Sequence, residues 1–87
     1  MNIIAFLATI FGIATGLANI PQIIKIFKRK SAKDLSIVTQ TIFLLSSIIW
    51  LIYGFELSNF PLIIANIIYV LTYSIIVVGF LLYGQKK

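Results

Sequence analysis

The sequence predicts an all-α membrane protein, a single bundle of three transmembrane helices, and three observations predict it. Hydrophobic residues make up 61% of the chain and the mean hydropathy is +1.12, against the roughly 45–50% apolar usage of soluble domains. The 87 residues divide into apolar runs at about 3–24, 36–55 and 61–83, each near the roughly 20 residues that a spanning helix needs, and none of the runs holds a charged side chain. The basic residues gather at run ends: Lys25, Lys28, Arg29, Lys30 and Lys33 after the first run, Lys86 and Lys87 after the third.

That charge pattern sets the topology. The connection from Glu56 to Phe60 has no Lys or Arg, so the positive-inside rule puts the first loop and the C-terminus in the cytoplasm and the N-terminus and second loop outside. A net charge of +5 would suit nucleic acid, but basic residues confined to helix ends are assigned to membrane orientation, and no nucleic-acid partner is expected. The first run lacks a basic leader and exceeds a signal peptide's apolar core of about 7–15 residues, so it reads as a retained helix. With neither cysteine nor histidine, thiolate metal sites, disulfides and imidazole proton shuttles are excluded, and no cofactor is expected.

In the first run Ala8, Gly12 and Gly16 recur every four residues, a small-residue stripe that lets another backbone approach closely. Thr15, Asn19 and Gln22 form a polar line on one helical face. That line ends beside Pro21, which leaves the Leu17 carbonyl without a donor and crowds the preceding turn, so the helix must kink or open there. Within a bilayer the freed carbonyl and the two amides need protein, water or a polar ligand as partners. In the loop that follows, Ser36 or Asp34 is placed to cap the next helix, and the lysines can also meet anionic headgroups.

The second run carries Thr39, Ser46, Trp50 and Tyr53 along one stripe. Tyr53 suits an interfacial anchor, whereas Trp50 lies deeper. Pro61 suits the first turn of the third helix, in which Asn66, Tyr69 and Tyr73 share a face. At a rise of about 1.5 Å per residue, Trp50 and Asn66 each lie roughly 9 Å below the outer turn and form one layer. Pro21 and Asn19 fall on the cytoplasmic side of that layer, where Asn19 is placed to line an inner gate.

An uncompensated Asn in hydrocarbon is costly, so Asn66 should bond another helix or a ligand. A tryptophan at its level favours the ligand, because an indole face packs on the C–H face of a sugar ring while a carboxamide both donates to and accepts from its hydroxyls. No ionisable group lies in any run to carry a coupling ion, and no acid–base pair or activated nucleophile can be assembled. An enzyme is therefore not expected; gradient-driven passage of a neutral solute is. Three helices cannot enclose a polar path alone, so a homodimer is expected, with its two-fold axis along the membrane normal because every copy shares one orientation.

Taken together, Pro21-Gln22 late in the first run, Lys30-Ser31 and Leu35-Ser36 in the loop, Trp50-x-x-Tyr53-Gly54 in the second run and Asn66 in the third resemble the SemiSWEET sugar transporters. These are bacterial half-size relatives of the SWEETs in the PQ-loop, MtN3-saliva group, and the resemblance covers the whole chain. It implies a parallel dimer of triple-helix bundles in the bacterial inner membrane, a central sugar site, and alternating access by rocking of the bundles. Residue by residue, it implies that Trp50 stacks on the sugar, Asn66 hydrogen-bonds it, Tyr53 forms the outer gate, and Pro21 with Gln22 forms the hinge. Leu57 and Asn59 stand where some members carry a charged pair, so the outer gate here would rest on Tyr53 and apolar contact. Two rival readings are a non-transporting membrane adaptor, whose stripes only bind other helices, and a PQ-loop carrier of a small amino or organic acid. The lack of an intramembrane charge to pair with such an acid argues against the second.

Overall fold

The computed structural model describes residues 2–32 and 35–84; Lys33, Asp34, Lys86 and Lys87, used above for capping and topology, lie outside them. The helices are α1 (Ile3–Leu17), α2 (Ile20–Arg29), α3 (Ile37–Leu57) and α4 (Phe60–Tyr83). Three stretches are long and apolar enough to cross a membrane, the first being α1 and α2 taken together as Ile3–Arg29. Lys25, Lys28 and Arg29 thus continue the first span as helix, and Glu56 occupies the last turn of α3.

The first span is interrupted at Ala18 and Asn19, upstream of the proline that causes it. Asn19 N–H reaches back three residues to the Gly16 carbonyl at 3.2 Å, and regular bonding resumes with Ile23 N–H on the Asn19 carbonyl at 3.0 Å. Pro21 itself sits in the first turn of α2, where a missing N–H costs nothing. Its ring disfavours the turn before it, so the discontinuity falls there.

The remaining helix starts are capped from the sequence. Side-chain oxygens of Asn2, Ser36 and Asn59 accept from the amides of Ala5 at 2.7 Å, Thr39 at 3.3 Å and Leu62 at 3.2 Å, each cap stabilising its helix by about 1 kcal/mol. α3 ends on Ser58 in the left-handed region at φ 51°, with Asn59 N–H on the Gly54 carbonyl at 2.9 Å. This six-to-one closure turns the chain tightly into α4.

α4 lies in the middle, packing against α1, α2 and α3, and glycines make each of those contacts close. A Cβ on Gly12 would stand 2.8 Å from Ala65 Cβ, one on Gly79 would stand 2.8 Å from Ile26 Cγ2, and one on Gly54 would stand 3.1 Å from Leu62 Cβ. Gly16 is tighter still, its missing Cβ replaced by the side chain of Ile68. The helices are therefore in register. Facing residues of the first span and α4 differ by 53 in number at Gly12/Ala65, Asn19/Thr72 and Ile26/Gly79, so these two spans run parallel and the interruption does not shift their alignment. α3 and α4 run antiparallel: Gly54 faces Leu62 and, three turns away, the Phe43 and Tyr73 rings lie 5.4 Å apart.

A dense cluster closes the basic end. Ile26, Ala32 and Ile76 are buried, flanked by Phe27, Tyr73, Phe80 and Tyr83, and the Phe27 and Tyr83 rings meet edge-on at 5.7 Å. The molecule measures 49 × 21 × 14 Å across its Cα atoms. The thinnest extent, 14 Å, is about two helices deep, since the Cα cylinder of one helix is roughly 4.6 Å across; α4 fills the middle of this bundle, where α1, α2 and α3 each pack on it. Large apolar side chains such as Phe6, Phe11, Ile49 and Leu81 stand outward, the pattern of helices surrounded by lipid.

Candidate functional site

Trp50 and Asn66 occupy the same level. The α3–α4 register that pairs Gly54 with Leu62 and Phe43 with Tyr73 also brings residue 50 level with residue 66. Asn66 is 6% exposed, and its Nδ2 donates to the Leu62 carbonyl at 2.8 Å, one turn back. Its Oδ1 accepts no hydrogen bond from a described residue and is left as an acceptor at the surface of an open groove.

That groove, of about 960 Å³, falls near the top of the roughly 300–1,000 Å³ range of ligand pockets. It runs between α1 and α4 and is floored by Ala65, Asn66 and Tyr69. Past Ile4, α1 presents the small residues Ala5, Ala8 and Gly12 along this edge, which leaves the space open. The small-residue stripe is thus divided: Gly16 is buried in helix contact, Ala8 lines open space, and Gly12 does both.

Trp50 lies outside that groove, on the α3 flank. Its side chain is 49% exposed, as is much of Tyr53 at 45%, and the two rings meet edge-on at 5.7 Å. Within one chain the indole and the Asn66 amide therefore share a level but line different surfaces. Leu57 is exposed, and Asn59 spends its side chain on capping α4.

At the other end Pro21 and Gln22 line a smaller cavity of about 430 Å³ with Ala18, Lys25, Ile26, Arg29 and Ser31. Asn19 turns away from it: its Nδ2 donates to Thr72 Oγ1 on α4 at 3.1 Å. Two residues to which the sequence reading gave no role stand out, Tyr69 in the groove and Thr72 beneath it. Tyr69 was visible in the periodicity it shares with Asn66, whereas no sequence spacing links residue 72 to residue 19. Among the described residues no group of acidic, histidine or cysteine side chains could hold a metal ion.

The fold and site are those of a small helical membrane protein with an open, mainly apolar groove between its spans, into which Asn66 and Tyr69 bring polar groups. Residues 2–87 match the family described as "Sugar efflux transporter for intercellular exchange", and the chain belongs to that family, MtN3/saliva, which is a transporter family and not an enzyme family. It is 37% identical over 83 residues to the sugar transporter SemiSWEET of Bradyrhizobium diazoefficiens, covering 91% of this chain and 96% of the relative. With the sugar transporter SemiSWEET of Leptospira biflexa it shares 28% identity over 67 residues, 77% of this chain and 75% of that one. Its fold superposes on a crystal structure of a bacterial homologue of SWEET transporters with a TM-score of 0.89 at 31% identity, covering 95% of this chain and all of the other.

Proposed function

We propose that this chain is a sugar transporter, a uniporter that works as a parallel homodimer and moves a neutral mono- or disaccharide by alternating access. The observation that carries the reading is the common level of Trp50 and Asn66, one offering an uncovered aromatic face and the other a free amide oxygen. A sugar ring needs both, an apolar face for its C–H groups and directed hydrogen bonds for its hydroxyls. Family membership and the named relatives support the same substrate class.

A homodimer supplies what one three-helix bundle lacks, an enclosed path. Two copies related by an axis along the membrane normal bring two indoles and two amides to one level, cover Trp50 and convert the open groove into a path. Tyr53, one turn further out, then closes the outer side, and Pro21 with Gln22 forms the hinge on the inner side. The bacterial inner membrane, with the N-terminus outside and the C-terminus in the cytoplasm, is the location that fits the basic residues around Lys25–Lys30. The rival adaptor reading has no use for an amide oxygen without a donor beside an open groove.

Trp50 is the single tryptophan of the chain, so its fluorescence reports on the site without interference. Titrating the purified protein with sugars should change the emission saturably, and Asn66→Ala should abolish the saturation while leaving the basal spectrum. Unchanged emission at high concentrations of every mono- and disaccharide tried would remove the site.

A further inference from the structure

At a helix N-cap an Asn ordinarily turns its side-chain oxygen onto the amides of the first turn. Asn2 and Asn59 do so for α1 and α4. Asn19, at the N-cap of α2, makes no such bond; its Nδ2 donates across to Thr72 Oγ1 at 3.1 Å. Thr72 is 7% exposed, and its hydroxyl lies 3.0 Å from the Ile68 carbonyl and 3.3 Å from the Tyr69 carbonyl. Its one proton is thus spent along its own helix, and its oxygen is left to accept from Asn19 Nδ2.

The location gives the bond a consequence. On one side of the interruption, α1 is held to α4 where Gly16 meets Ile68 and Tyr69; on the other, α2 is held where Ile26 and Phe27 meet Gly79. Each half of the first span has its own grip on α4, and the segment between them lacks regular helical bonding. Any change of angle between α1 and α2 is taken up there. Asn19 and Thr72 bridge that point, and the carbonyls that Thr72 engages belong to the turn of α4 next to Asn66.

We infer that Asn19 and Thr72 form a latch, a positioning pair that sets the angle between α1 and α2 and couples it to the stretch of α4 carrying Asn66 and Tyr69. A hydrogen bond is either made or broken, so it divides hinge positions into two sets in a way that graded apolar contact does not. Asn19 then acts within the bundle and does not line the inner gate. The latch's effect on transport rests on the transporter reading; its existence does not.

The test has two arms. Backbone amide exchange across residues 17–24 is followed by mass spectrometry in wild type, Asn19→Ala, Thr72→Val, the double variant and Thr72→Ser. Membrane hydrogen bonds of this kind shift an equilibrium by about three- to tenfold, so each single variant should speed exchange by that factor. The double variant should add nothing further, and Thr72→Ser, which keeps the hydroxyl, should match wild type. Where Asn19→Ala does not fold, Asn19→Ser carries the same cycle. In liposomes the same variants should alter sugar turnover and leave the sugar Kd unchanged. Multiplicative effects of the two singles, or Thr72→Ser behaving like Thr72→Val, would overturn the latch. A wild-type protein that moves no sugar but shows the expected exchange pattern would overturn the transporter reading and leave the latch standing.

Discussion

Asn66 places its two amide ends in different surroundings: Nδ2 bonds the Leu62 carbonyl of its own helix, and Oδ1 is left for the groove. The internal bond holds the rotamer, so at the proposed site a ligand hydroxyl would meet an acceptor that is already aimed. Asn66→Asp would keep the shape but replace the Nδ2 amide that donates to the Leu62 carbonyl by a carboxyl oxygen, so the internal bond that holds the rotamer is lost. It should weaken binding of a neutral sugar at least tenfold, measured by Trp50 fluorescence at neutral pH. Residue spacing made Asn66, Tyr69 and the depth of Trp50 legible, because helical periodicity and a fixed rise are properties of a single helix. The partner of Asn19 was not legible, because Thr72 belongs to another span and the pairing depends on how two helices meet. Gly16 is a second residue-scale case. Gly16→Leu forces a side chain onto Ile68 and Tyr69, and overpacking of this kind costs about 1–3 kcal/mol, so its thermal midpoint in detergent should fall well below that of an Ala8→Leu control, whose site faces open groove.

At the scale of elements, the interruption of the first span is the feature with most leverage. Pro21 predicted a kink from its missing donor and from its ring crowding the preceding turn, and the break falls within that turn, at Ala18 and Asn19, because a proline is comfortable in the first turn of a helix and disturbs the turn before it. Replacing it should rejoin α1 and α2. Pro21→Ala is expected to reduce the rate of sugar exchange across liposomes several-fold while changing the sugar Kd little; equal exchange by wild type and variant would remove the hinge. The end of the first span was the least legible boundary. Hydropathy stops at Ile24, but α2 continues to Arg29, since a helix ends where its hydrogen bonding ends and lysine and arginine are good helix formers.

For the whole molecule, hydropathy gave the number of spans but not their arrangement. The tight turn at Ser58 makes α3 and α4 antiparallel neighbours, and that much follows from loop length. That α4 also carries α1 and α2 depends on which glycine meets which side chain, at Gly12, Gly16 and Gly79. The outcome is a bundle with α4 in its middle and an open groove along it, and that openness is why a second copy is required by the function proposed. The chain has no cysteine, so single-cysteine variants are clean probes. In a parallel dimer Tyr53→Cys should oxidise to a disulfide-linked dimer, while an antiparallel or monomeric arrangement would leave it monomeric. The central claim is tested most directly by radiolabelled flux into liposomes that contain only this chain. Wild type should pass mono- or disaccharides down their gradient, reject charged amino acids and show the same rate with or without a proton gradient, while Trp50→Ala and Asn66→Ala, still folded, should pass none. Sugar flux that persists in both variants, or no sugar flux in the wild type, would contradict the account.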